Sequence, residues 1–218
     1  MEVLGLTVQA CFSVCPDGYE VQGRRTVKGG IGDLLGNSHR VVVPKTRRSA
    51  DSVCDDLTDI WRSLIRINNL SRVARESTVY AQVVRFCEQY GEYQQAVSAA
   101  RVRSRPMLVN TLLAEAQRMS EAIVAGQGDF VEMPGDVLSR LEDAIEQGIT
   151  VTGCLVAVTL RCPVLAAWFG LSNRLANRAL DDWRDCAFCG GVSFSRKRSR
   201  FCSDYCRDRY KKREMRRA

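Results

Sequence analysis

One histidine, His39, stands among the 218 residues of this chain. That scarcity removes most chemistry that depends on an imidazole base, and hydrolysis driven by a His base with it. Paired acid–base constellations and nucleophile motifs are also missing, so the chain is not read as an enzyme. Nor is there an apolar run of the roughly 18–20 residues that a membrane helix needs. The longest candidate, 149–171, is broken by Arg161 and Pro163 and reads as buried core, with no membrane partner. Met1-Glu2-Val3-Leu4 lacks the basic start of a secretory signal, so a soluble, cytoplasmic protein is expected. What is present is ordinary globular composition, 45% hydrophobic and 26% charged, which excludes a wholly disordered chain.

Charge is distributed unevenly. Residues 186–218 hold eleven Lys/Arg against three Asp/Glu, whereas the first 185 hold 21 against 22. A near-neutral body thus carries a cationic device, whose usual partner is nucleic acid. A basic tail that only aids solubility is the plainer alternative.

The ten cysteines divide in the same place. Six are scattered: Cys11, Cys15, Cys54, Cys87, Cys154 and Cys162. These are read as reduced and non-catalytic, and buried free cysteine behaves as a small hydrophobe. The other four form Cys186-Ala187-Phe188-Cys189 and Cys202-Ser203-Asp204-Tyr205-Cys206, two close pairs separated by a loop. Such pairs suit tetrahedral thiolate coordination of Zn2+, with an iron–sulfur cluster as the competing occupant. Gly190-Gly191 lets the chain turn after the second ligand, 192–195 alternates as a short strand, and Ser203 is placed to cap a terminal helix over 204–217. A knuckle, a hairpin and a ligand-bearing helix together resemble a treble-clef finger, with Phe188, Phe194 and Phe201 as its expected core. Arg196, Lys197, Arg198 and Arg200 on the loop, and Arg207, Arg209, Lys211, Lys212 and Arg213 on the helix, are the candidate phosphate contacts. Positive charge surrounds that helix, which suits phosphate contact more than base reading. Tyr205 and Tyr210 could stack on bases or pack against the finger.

These motifs carry a family resemblance. Cys186-Ala187-Phe188-Cys189 and Arg200-Phe201-Cys202-Ser203-Asp204-Tyr205-Cys206, with Leu57-Thr58-Asp59-Ile60-Trp61 and Val84-Arg85-Phe86-Cys87-Glu88-Gln89-Tyr90-Gly91 upstream, resemble bacterial ABATE/CGNR-like zinc-finger proteins. The Cys-Gly-Asn-Arg signature itself is absent, since Cys206 is followed by Arg207-Asp208-Arg209. The resemblance implies a DNA-binding transcriptional regulator.

Upstream of the finger the pattern is mostly helical. Apolar residues recur at three- and four-residue steps over 53–71, 79–90 and 106–126, and a further helix is expected over 137–147. The stretch 149–160 is rich in Val and Thr and is either strand or buried helix; 174–183 reads as the last helix before the finger. The first fifty residues are β-prone at 3–12, 19–22 and 40–43, divided by turn residues, with 44–49 as a linker. Within them, Gly29-Gly30-Ile31-Gly32-Asp33-Leu34-Leu35-Gly36 reads as a turn, because no Lys-Ser/Thr follows it, and His39 reads as an exposed side chain. Cys11 and Cys15 lack a second pair nearby and are not read as a metal site. The fold class expected is α+β, predominantly α: a small β-rich region over 1–50, a helical domain over 51–185 and a four-cysteine zinc finger over 186–218. The function expected is nucleic-acid binding, DNA more than RNA, with a homodimer possible. The alternative is an adaptor protein whose finger is purely structural.

Overall fold

The computed structural model describes residues 5–23, 40–46, 50–54, 56–91, 107–125, 133–152, 155–177, 183–194 and 199–217. The glycine run at 29–36, His39 and Cys154 lie outside them. Six helices and three small sheets stand among the described residues, an α+β arrangement.

β1 (Gly5–Val14) runs inside a four-stranded sheet. On one side it pairs antiparallel with β4 (Ala50–Cys54), and on the other it pairs in parallel with β7 (Leu155–Leu160), which turns back on β6 (Ile149–Thr152). The open reading of 149–160 therefore resolves as two strands, in keeping with their β-branched side chains. Residues near the start of the chain thus share a sheet with residues 150 positions later. A second sheet joins β2 (Tyr19–Gly23), β3 (Arg40–Pro44) and β5 (Met107–Leu108).

Alternation on β1 buries Ala10 and Phe12 toward the helices and leaves Cys11 and Ser13 toward the outer face. α2 (Glu76–Tyr90) and α5 (Pro163–Ala176) pack on β1 and α4 (Gly135–Gly148) packs on β7, while α1 (Thr58–Ser71) and α3 (Val109–Ala125) pack on one another and on α5. α5 begins on Pro163, whose fixed φ suits a first helical position, and buries 164–168 and Leu171. α1 packs on α2, α3 and α5, with Ile60, Trp61, Leu64 and Ile65 at most 1% exposed.

The helix expected over 53–71 begins only at Thr58. Val53 and Cys54 belong to β4, and the Asp56 carboxylate accepts the Thr58 N–H at 2.8 Å, which starts the helix there. Hydrogen bonds from the Thr58 hydroxyl and then the Thr58 N–H hold the Asp56 carboxyl below the usual carboxylate range. The stretch 107–108 is likewise strand, drawn into the β3 ladder before α3 starts. Of the helix expected over 174–183, residues 174–176 are the end of α5 and Trp183 lies in β8 (Trp183–Asp185), paired with β9 (Val192–Phe194), while 178–182 lie outside the described residues.

One buried carboxylate ties three helices together. Glu115 of α3, 6% exposed, accepts the Trp168 indole N–H of α5 at 3.0 Å and lies 3.4 Å from Arg140 of α4. Arg118 adds a contact to Glu115 at 3.5 Å and reaches Asp136 at 2.6 Å.

Candidate metal centre and basic helix

The β8–β9 hairpin holds the first cysteine pair. Cys186 N–H donates to the Gly191 carbonyl and Gly190 N–H to the Cys186 carbonyl, both at 2.9 Å, closing a tight loop around Cys189. Gly190 takes φ +66° in that loop, a backbone shape that favours glycine. Ala187 N–H donates to the Arg200 carbonyl at 2.9 Å and brings the second pair alongside. α6 (Asp204–Met215) then starts on Ser203, extended at φ −157°, whose hydroxyl accepts the Cys206 N–H at 3.3 Å. That is the cap expected from the sequence. It fixes Cys202 just outside the helix and Cys206 in its first turn.

The four sulfurs lie within 4.8 Å of one another. Cys189 and Cys202 are 3.6 Å apart, and Cys202 and Cys206 are 3.5 Å apart. Bonds of about 2.3 Å to a central ion give a tetrahedron of edge about 3.8 Å, whereas a disulfide needs about 2.05 Å. The spacing suits four ligands around one ion, and the cysteines are free. Cys186 and Cys206 are buried, Cys189 and Cys202 half-buried.

Cys189, Cys202 and Cys206 shift one another's acidity. The Cys202 S–H donated to Cys189 pulls the Cys189 thiol down to about 5, helped by the Gly191 N–H. The same donation, together with burial, pushes Cys202 far up. Burial pushes Cys206 up to about 11. Four thiolates crowded this closely repel one another unless a cation sits among them, so the cluster could hold a metal ion. With sulfur alone as donor, such a set favours borderline or soft metals.

The basic side chains differ in how free they are. Arg207 is engaged by Asp204 at 2.9 Å and Asp208 at 3.6 Å. Arg217 faces Glu214 at 3.7 Å. Arg200 lies 5.8 Å over the Tyr210 ring, which itself packs on Phe201 at 5.2 Å. Arg209 donates from Nε to the Tyr205 hydroxyl, which donates in turn to the Val73 carbonyl. Both tyrosines are thus engaged in packing. Arg209, Lys211, Lys212, Arg213 and Arg216 are exposed and form no ion pair among the described residues. Four of them, Arg209, Lys212, Arg213 and Arg216, fall at three- and four-residue steps on one helical face. Arg196, Lys197 and Arg198 lie outside the described residues.

Sequence reasoning missed the joint between finger and body. Phe194, expected in a separate finger core, meets Trp61 of α1 edge-on with ring centroids 4.8 Å apart. Asn69 Nδ2 donates to the Val192 carbonyl at 2.6 Å. Gly191 lies so close to α1 that a Cβ there would sit 2.0 Å from Asn69 Oδ1. The available signal was Asn68-Asn69, two amides interrupting the apolar pattern of α1.

Comparison with protein-family models, curated proteins and solved structures finds no match. No helix among the described residues is long and apolar enough to cross a membrane.

Proposed function

We propose that Cys186, Cys189, Cys202 and Cys206 hold one Zn2+ and that the resulting treble-clef-like finger binds nucleic acid, duplex DNA before RNA, as part of a transcriptional regulator. Zinc fits because all four donors are sulfur. Four protein ligands close the coordination shell, so the ion serves structure and leaves no position for substrate.

The observation that carries this reading is the face of α6 bearing Arg209, Lys212, Arg213 and Arg216, exposed and without acidic partners among the described residues. A helix capped by Ser203 on the N–H of Cys206 holds that face at a fixed place. Its contacts are to phosphate rather than base, because Tyr205 and Tyr210 are committed to packing. Arg72 and Arg75, exposed on the turn whose Val73 carbonyl receives Tyr205, stand beside the first turn of α6 and extend this surface.

The test is fluorescence anisotropy of labelled duplex DNA, single-stranded DNA and RNA, titrated with zinc-loaded protein between about 50 and 200 mM salt. Several phosphate contacts lower affinity by orders of magnitude over that range. Absence of salt-dependent binding to all three probes would reject the reading and favour the adaptor alternative, which the docking of Phe194 on Trp61 also suits.

A further inference from the structure

We propose that ion binding at the four cysteines and closure of the seam between β9 and α1 are one coupled equilibrium, so that metal occupancy controls the packing of the helical body. This rests on the metal reading above and adds a regulatory role to the same site.

Gly191 is the shared part. Its carbonyl accepts the Cys186 N–H and its own N–H supports Cys189, so it belongs to the ligand loop. Its other side abuts Asn69 with no room for a Cβ. The next three residues make the seam. Val192 accepts from Asn69 and joins the main core, Ser193 is 2% exposed, and Phe194 meets Trp61. A displacement of the ligand loop is therefore a displacement of β9 against α1.

The seam is poorly satisfied on its own. Among the described residues, Asn69 Oδ1 and Trp61 Nε1, on the α1 side of the seam, are buried without a hydrogen-bond partner. Each would regain hydration if the seam opened, which offsets part of the loss of the aromatic and aliphatic contacts. Closure thus depends on something outside the seam that holds β9 in place. A finger of about 33 residues does not fold without its metal, and the ion is that external hold. Loss of the ion frees β9, uncovers Trp61 and loosens the Tyr205 contact with the α1–α2 turn.

Coupling of this kind is reciprocal: if zinc closes the seam, seam contacts must strengthen zinc binding by the same factor. Neither Phe194 nor Asn69 is a ligand. Competition of the full chain against a chromophoric chelator for Zn2+ should show roughly 5- to 150-fold weaker zinc binding in Phe194→Ala and Asn69→Ala. In the unaltered chain, hydrogen exchange across α1 should quicken when zinc is chelated and slow again when it is restored. Wild-type zinc affinity in both variants, or α1 protection indifferent to zinc, overturns the coupling alone. A chain that takes up no zinc overturns it together with the metal reading.

Discussion

If the finger binds nucleic acid as proposed, the salt dependence of that binding follows from a single helical face. α6 has 12 residues, a rise of about 18 Å, and Arg209, Lys212, Arg213 and Arg216, exposed on one face and without acidic partners among the described residues, offer up to four phosphate contacts. Four contacts to B-DNA predict a slope of log Kobs against log salt of about −3.6, since each neutralised phosphate contributes about 0.9. A fourfold rise in salt then lowers affinity by about 150-fold. Replacing Lys212, Arg213 and Arg216 by Gln removes three contacts and should make the slope shallower by about 2.7. Gln keeps the helix, being nearly as good a helix former as Lys or Arg, and none of the three residues is among the four candidate ligands, so zinc content should stay the same. Arg207→Gln is the internal control. Its guanidinium is already engaged by Asp204 and Asp208, so the slope should barely move. Anisotropy titrations at five or six salt concentrations measure all three proteins. An unchanged slope in the triple variant would refute the assignment of this face, and a large change in Arg207→Gln would show that the ion pairs open on binding.

Other consequences can be checked directly. Cys202→Ser should lose the bound zinc by native mass spectrometry, and retention of a full equivalent would sink the ligand assignment. Deleting 186–218 should abolish nucleic-acid binding yet leave a cooperative, weaker fold: uncovering about 100 Å² of Trp61 costs about 2.5 kcal/mol, or roughly 5–10 °C in Tm. An unshifted Tm would show that the finger does not support the body. Glu115→Ala should cost about 3 kcal/mol, because the Trp168 N–H and Arg140 lose their buried acceptor. Glu115→Gln should cost less, since it keeps an acceptor for the indole, and equal melting points for the two would argue against that account. Arg72→Gln with Arg75→Gln should flatten the salt slope by up to about 1.8 without altering zinc content; an unaltered slope would confine the phosphate surface to the finger.

The parts of this fold legible in the sequence are those encoded locally. Four thiols within 21 residues, a capping serine and a basic run mark a four-cysteine cluster that could hold a metal ion, without knowledge of distant contacts. Three- and four-residue periodicity found α1, α2 and α3 because their buried stripes are continuous. The failures are non-local. β4 lies beside an apolar run that continues helical spacing, and only its ladder with β1 makes it a strand. β7 pairs with β1 across about 150 residues, a register that nothing in either segment announces. Trp183 continues the α5 pattern, yet its partner is Phe194 in a hairpin. Asn69 looks like a defect in an apolar stripe until the Val192 carbonyl is placed against it.

That last contact changes what the charge asymmetry means. A neutral body with a cationic appendage suggests two units joined by a tether, in which binding would have to order the tether as well as the contact. Here the appendage begins inside the core. Val192 is 2% exposed and Trp61 is 0% exposed beneath Phe194, and Tyr205 anchors the first turn of α6 to the α1–α2 turn. The basic helix is therefore held at both its ligand end and its tyrosine, and its cations are presented in one orientation before any partner arrives. Preorganisation of that sort lowers the ordering cost of association. On the proposed reading, a load on α6 would pass to the cysteine loop and, through the close approach of Gly191 to Asn69, to α1.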